Sequence, residues 1–155
     1  MPISIGSAIK QTRPFVSLEH EAVLAVHRLA SDLAQGVVDL LRPTGLSPAQ
    51  FNVLRILRGA GSAGTSCGEI GERLVTREPD VTRLLDRLEK EGFIERTRSP
   101  DDRRIVLTRI SAKGLDVLST LDEPMAELHR RQLGHLGENR LRQLIELLAI
   151  AEDPP

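Results

Sequence analysis

The sequence predicts a mainly α (α+β) fold, with helices along most of the chain and one β-hairpin beyond its middle. Three observations predict it. Val81, Leu84, Leu85 and Leu88 stand at i, i+3, i+4 and i+7, one apolar stripe of a short helix whose other side carries Thr82, Arg83, Asp86, Arg87 and Lys90. Gly92 suits the positive φ of a helix stop; a strand over Phe93–Arg98, turn chemistry at Ser99-Pro100-Asp101-Asp102 and a returning strand over Arg104–Thr108 follow. At both ends of the chain, apolar residues recur with the helical period over long stretches. A second short helix lies just before the first stripe. Together these features make a winged helix-turn-helix whose terminal helices are left to form a bundle.

Met1 to Phe15 shows no period and contains Pro2, Gly6 and Pro14, so residues 1–16 are expected to form an arm, ordered where a partner chain holds it. Ser17 is a plausible N-cap. Ala22, Val26, Leu29, Leu33, Val37 and Leu40/Leu41 then carry a helix from Leu18 to about Leu41, ended by Pro43 and Gly45. Ser47-Pro48-Ala49-Gln50 starts the next helix: Ser47 caps, Pro48 suits N1, and Gln50 completes a capping box. Phe51, Val53/Leu54 and Leu57 form its buried face, and Gly59 to Gly64 is a loop. Ser66-Cys67-Gly68-Glu69 is a second capping box, with Ile70 and Leu74 pointing inward and the helix ending near Leu74.

After the hairpin, Ser111-Ala112-Lys113-Gly114 opens a helix whose stripe of Leu115, Leu118, Leu121, Met125 and Leu128 continues toward Leu136. Pro124 is expected to kink or interrupt it. His135-Leu136-Gly137 breaks it, and Leu141, Leu144/Ile145 and Leu148 mark a final helix. A solitary two-stranded hairpin is marginal in water, so the wing must pack on the helices, through Phe93 and Ile94. The chain therefore divides into an arm (1–16), a first dimerisation helix (17–45), a winged helix-turn-helix DNA-binding domain (46–110) and C-terminal dimerisation helices (111–155). A module of about 65 residues cannot bury all the long apolar stripes outside it. A homodimer is the favoured partner arrangement, because a two-fold reader needs two recognition helices about one DNA turn apart.

Composition narrows the function class. Among 155 residues there are three aromatic ones, all Phe, which argues against base stacking and so against a reader of single strands. The net charge of −1 is unevenly spread: residues 66–110 carry ten basic and ten acidic groups, while Arg96 to Arg109 holds five Arg against two Asp. Positive charge is thus local to the hairpin, and there it is all arginine, whose planar fork suits phosphate oxygens. The single Cys67 rules out an intrachain disulfide and fits a reducing cytosol. No run of about 18 apolar residues exists, and a cytoplasmic protein is expected. His20, His27, His129 and His135 read as polar surface or interface residues, without metal-ligand spacing. No nucleophile elbow or phosphate loop is present, so neither an enzyme nor a cofactor is expected.

Asp80-Val81-Thr82-Arg83-Leu84-Leu85-Asp86-Arg87-Leu88-Glu89-Lys90-Glu91-Gly92, then Asp102-Arg103-Arg104, then Leu107-Thr108-Arg109-Ile110-Ser111 and Gly114, resemble the MarR family of bacterial winged helix-turn-helix regulators. Leu46-Ser47-Pro48-Ala49-Gln50-Phe51 is similar as well, and the resemblance covers roughly residues 18–150. It implies a homodimer with intertwined terminal helices, one recognition helix per subunit in the major groove and a wing toward the minor groove. It further implies a repressor released by small phenolic or lipophilic ligands, by oxidants or by metals. An inverted-repeat operator in double-stranded DNA and a small-molecule effector bound where the module meets the terminal helices are expected. Arg77, Glu78 and Asp80 depart from the small hydroxyl residues common in the family before the recognition helix.

On this reading Thr82, Arg83 and Arg87 contact DNA, with Thr76 and Arg77 at the groove-facing start of the helix; the bland alternative is a solvated charged face with an Asp86–Lys90 pair. Asp80 either accepts from a cytosine amino group or caps the helix. Arg96 and Arg98 are assigned to phosphates. Of Arg103 and Arg104, the resemblance gives one to Asp102, stabilising the wing, and the other to the minor groove, leaving open which is which. Cys67, near N1 of its helix, reads as a small core-facing or cap residue rather than a redox switch. The expected function is a sequence-specific duplex-DNA-binding transcriptional regulator; the alternative is a winged-helix protein-interaction module that does not bind DNA.

Overall fold

The structure, a computed structural model, describes residues 4–153. In chain order its elements are α1 (Ile5–Ala8), α2 (Leu18–Leu41), α3 (Pro48–Ala60), β1 (Thr65–Ser66), α4 (Cys67–Arg73), α5 (Val81–Lys90), β2 (Ile94–Arg98), β3 (Val106–Ile110), α6 (Ala112–Leu133) and α7 (Gly137–Glu152). The chain forms two compact units, one ending at Asp39 and one beginning at Leu40.

In the first unit, part of the expected arm is helical. Ser4 Oγ accepts from the Ser7 N–H at 3.3 Å and caps the single turn of α1. A four-residue turn is too short to leave a periodic trace in sequence. Ser17 starts α2 as expected, its Oγ accepting from the His20 N–H at 3.2 Å. Val23, Val26 and Leu29, on the periodic stripe of α2 or beside it, are exposed.

The second unit contains the winged helix-turn-helix. Both capping boxes form: Ser47 Oγ takes the Gln50 N–H while the Gln50 side chain takes the Ser47 N–H, and Ser66 and Glu69 repeat the arrangement at α4. These caps satisfy backbone donors that have no intrahelical partner, so each helix begins where its sequence specifies. Phe51, Val53, Leu54 and Leu57 of α3, Ile70 of α4, and Leu84, Leu85 and Leu88 of α5 are buried. Each such side chain contributes about 1.5–3 kcal/mol on burial. Phe93 and Ile94, the expected wing anchors, are 7% and 2% exposed.

The hairpin is antiparallel, with Ile94 opposite Ile110, Arg96 opposite Thr108 and Arg98 opposite Val106. One strand was not foreseen. β1 pairs antiparallel with β3, Thr65 opposite Thr108, making a three-stranded sheet in the order β1-β3-β2. Two residues show no alternation, so only the tertiary placement of Thr65 beside buried Thr108 reveals the strand.

Two glycines are needed for backbone reasons. Gly92 holds φ +79°, in the left-handed region, and reverses the chain from α5 into β2. Gly114 lies so close to the hairpin that an added Cβ would sit 2.5 Å from the Phe93 carbonyl oxygen and 2.6 Å from Ile110 Cγ1. Its absent side chain lets α6 seat against the wing's base.

Pro124 does not interrupt α6, which runs unbroken from Ala112 to Leu133. Leu121 and Met125, on either side of it, are both buried and hold the helix through the missing backbone donor. A 3₁₀ turn over Gly134–Leu136 then leads into α7, in which no residue is buried. No helix among the described residues is long and apolar enough to cross a membrane.

Candidate nucleic-acid interface

The buried leucines orient α5. With Leu84, Leu85 and Leu88 inward, the 3.6-residue turn sends Arg83, Arg87 and Lys90 to one outer side and Asp86 and Glu89 to the flank beside the hairpin. Asp80 takes the capping role: its Oδ1 accepts from the Arg83 N–H at 2.9 Å, a carboxylate placed where the helix dipole favours one. Thr82, Arg83 and Arg87 are exposed, as are Thr76 and Arg77 in the preceding loop. That loop is tied down where the Val75 N–H donates to Asn52 Oδ1 at 3.0 Å. Cys67 lies at N1 of α4, its Sγ 3.8 Å from Thr82 Oγ1 and half-buried.

The wing is stiffened by local bonds. Buried Ser99 donates its N–H to the Ile105 carbonyl at 2.8 Å, while its Oγ accepts from the Asp101 and Asp102 N–H groups. Asp102 Oδ1 accepts from the Arg104 N–H at 3.0 Å and lies 3.5 Å from the Arg104 guanidinium. The Asp102 partner is therefore Arg104. Arg98 donates to the Arg103 carbonyl at 2.8 Å, which holds the tip from the opposite strand. None of the ion pairs among the described residues involves Arg83, Arg87 or Arg103.

Arg96 is placed differently from the other hairpin arginines. Its Nε and Nη2 donate to Glu89 Oε2 at 2.9 and 2.5 Å, and Nη2 also donates to Asp86 Oδ1 at 2.6 Å. The hydrogen bond it donates to Glu89, and then the one to Asp86, hold its guanidinium above the ordinary arginine range against the opposing effect of burial. The Asp86–Lys90 pair of the bland alternative is not among the ion pairs of the described residues; Asp86 turns to Arg96 instead.

Sequence reasoning missed the part played by Arg109. Its Nε donates to the Ser62 carbonyl at 2.6 Å, Nη2 to the Ala63 carbonyl at 3.2 Å and Nη1 to Thr97 Oγ1 at 2.7 Å. It joins the loop before β1 to both hairpin strands. A glycine-rich loop opposite an arginine carries no spacing rule that could have announced this. At the other end of that loop, Glu69 is held at about pH 2 by the Ser66 N–H, then by the Thr65 and Ser66 hydroxyls. That carboxylate joins β1 to α4, and so to the partner helix of α5.

Between α3 and α6, Phe51, Arg55, Arg58, Asp122, Met125 and His129 line a small open depression. Arg58 and Asp122 cross it as a two-bond pair, both at 2.9 Å. Their hydrogen bonds raise the guanidinium above and lower the carboxyl below its usual range.

A family model described as "MarR family" matches residues 46–106, which is the whole helix-turn-helix and most of the hairpin. A crystal structure of a MarR transcription factor from Planctomyces limnophilus is similar, with 38% identity and a TM-score of 0.67, covering 88% of this chain and 99% of that one. A mutant MarR from E. coli, crystallised with operator DNA, is 26% identical with a TM-score of 0.74, covering 82% of this chain and 90% of its own. Among curated relatives, the HTH-type transcriptional repressor IacR of Pseudomonas putida is 26% identical over 123 residues, 79% of this chain and 72% of that protein.

Proposed function

This chain belongs to the MarR family of transcriptional regulators, and from that premise we propose that it is a homodimeric repressor that binds an inverted-repeat operator in double-stranded DNA and is released by a small-molecule effector. The observation that carries the proposal is the outer face of α5. Arg83 and Arg87 stand there exposed and outside every ion pair among the described residues, on a helix whose opposite face is locked into the core. An exposed helix with free arginines matches the dimensions and chemistry of a major groove, where arginine reads guanine bidentately. The operator complex of the E. coli protein supports the reading, since that chain shares the fold at 26% identity.

Thr76 and Arg77, in the loop before α5, and Thr82, in its first turn on the flank of Asp86 and Glu89, are exposed at the leading end of the helix and join the contact. Asp80 serves the helix by capping, and its carboxylate keeps acceptor sites for a cytosine amino group. Because Arg104 is engaged with Asp102, Arg103 is the wing residue offered to the minor groove, and Arg98 braces it from behind. The dimer would be built on α7, whose Ile145, Leu147 and Ile150 are about two-thirds exposed in the single chain. The depression between α3 and α6 is where an effector would act. It sets apolar Phe51 and Met125 beside cationic Arg55, with Arg58 bonded to Asp122 across it, and Arg55 is the group offered to an anionic aromatic molecule.

The test is the double replacement Arg83→Ala/Arg87→Ala, assayed by fluorescence anisotropy on a duplex selected by the wild-type chain from a random pool. Each lost bidentate base contact costs about 1–3 kcal/mol, so specific binding should fall below detection while the oligomer mass in sedimentation stays the same. Unchanged affinity would falsify the recognition-face assignment. Absence of any wild-type complex at low salt would favour a protein-interaction module instead.

A further inference from the structure

Asp86 and Glu89 set a physical problem for a helix that meets DNA. They stand three residues apart on one flank of α5, a pair of negative charges beside the face proposed to meet DNA. Arg96 answers both. From β2 it reaches back across Gly92, placing one guanidinium on Glu89 through two donors and on Asp86 through a third, all within 2.5–2.9 Å. Its side chain is only 23% exposed, less than either partner. Its Nε and Nη2 are already committed to charge-assisted bonds, which leaves Nη1 alone for any further contact.

The position of those bonds matters as much as their number. α5 and β2 are joined by three residues, Glu91, Gly92 and Phe93, with Gly92 in the left-handed region. A single contact beyond such a link would leave the helix free to pivot against the strand. Two anchors most of a turn apart on α5, gripped by one rigid planar group on β2, remove that freedom. Two residues further along the same face of β2, Arg98 holds the Arg103 carbonyl at the wing tip. An unbroken series of contacts thus runs from the flank of the recognition helix to the end of the wing.

We infer that Arg96 is a positioning residue for operator binding: it fixes the recognition helix relative to the wing and neutralises the helix's acidic flank, without touching a phosphate. The inference rests on the DNA-binding reading above, and one arm of its test needs no DNA. In the full-length chain, hydrogen exchange is compared for wild type, Arg96→Ala and Glu89→Ala. Both variants speed exchange at the amides of β2 and the last turn of α5, with the α3 and α6 amides unchanged. Unaltered exchange in β2 and α5 in both variants overturns the clamp, whatever the chain binds.

In the second arm, affinity for the selected duplex is followed across a salt series. Arg96→Ala weakens binding about tenfold with the slope of log K against log salt unchanged, since no phosphate contact is lost. Glu89→Ala removes a negative charge near DNA, yet it weakens binding too, and the double variant is no worse than Arg96→Ala alone. If Glu89→Ala instead tightens binding, or Arg96→Ala flattens the slope by about 0.9, Arg96 is a phosphate contact and the inference fails. Should Arg96→Ala lose its fold, Asp86→Asn and Glu89→Ala carry the same signs. A wild-type chain that selects no duplex sinks the DNA-binding reading, and the exchange arm still decides the clamp.

Discussion

The winged module and the last helix use similar residues to opposite ends. In α5, Leu84, Leu85 and Leu88 are all buried, at most 9% exposed, and their burial aims the charged residues between them. In α7, Ile145, Leu147 and Ile150 are about 65% exposed, and no residue of the helix is buried. The difference teaches that an apolar stripe says only that a helix will be covered. What covers it is decided elsewhere. α5 finds its cover within the module's own 65 or so residues, against β2, α3 and α4; α7 reserves its own for a second chain on the proposal above.

The largest expected effect separates the two regions from the module's side. Leu85→Ala leaves a hole in a fully packed site and should cost about 2–5 kcal/mol, read as a lowered denaturant midpoint with unchanged slope. A cost below about 1 kcal/mol would mean that the module's core is no better packed than the face of α7. Next comes the other side. Ile145→Asp with Leu148→Asp should yield a monomer in sedimentation equilibrium and weaken operator binding by about 100-fold, the avidity of the second half-site being lost. Amides of Leu54 and Leu88 should stay protected in that variant; a variant that remains dimeric would remove α7 from the interface.

A smaller effect tests where the regions meet. Gly114→Ala forces a methyl against the Phe93 carbonyl at the start of α6 and should cost about 1–3 kcal/mol by thermal unfolding, with no loss of dimer mass. The same substitution at Gly59, which has nothing within 4 Å of an added Cβ, serves as the neutral control. The smallest effect is a matter of pH. Glu69 is held at about 2, below its ordinary 4.5, by the bonds that cap α4. Its contribution is therefore complete above about pH 4.5 and is lost as pH falls toward 2. In Glu69→Gln the acid limb of the stability curve should shallow over that window and match wild type's shape above it. An identical acid limb would show that the cap carries no linkage.

Much of this was legible before any coordinates. Capping boxes, apolar spacings and the Gly92 stop are local rules, and the helices they specify begin at Leu18, Pro48, Cys67, Val81 and Ala112. The exposed face of α5 could be read the same way, because a helix with four apolar positions on one side has only one side left. What could not be read were contacts between residues with no fixed spacing. Arg96, Arg98, Arg103, Arg104 and Arg109 are equal in a charge count. Yet Arg96 is held by Asp86 and Glu89, Arg98 supports the tip, Arg104 faces Asp102, and Arg109 fastens the Ser62–Ala63 loop. Of the five, only the Arg103 side chain enters none of these bonds among the described residues.

The sequence by itself determined the class of fold, the order of its helices and the face of α5 left exposed, since periodicity and capping act over one or two turns. The tertiary structure decided which arginines are free. Electrostatic partners are chosen by distance in space, and two short elements folded against each other across Gly92 bring Arg96 to carboxylates seven and ten residues away. The same packing made a strand of Thr65 and Ser66 and carried α6 through Pro124, because neighbours on both sides outweighed a local signal that was weak in one case and contrary in the other.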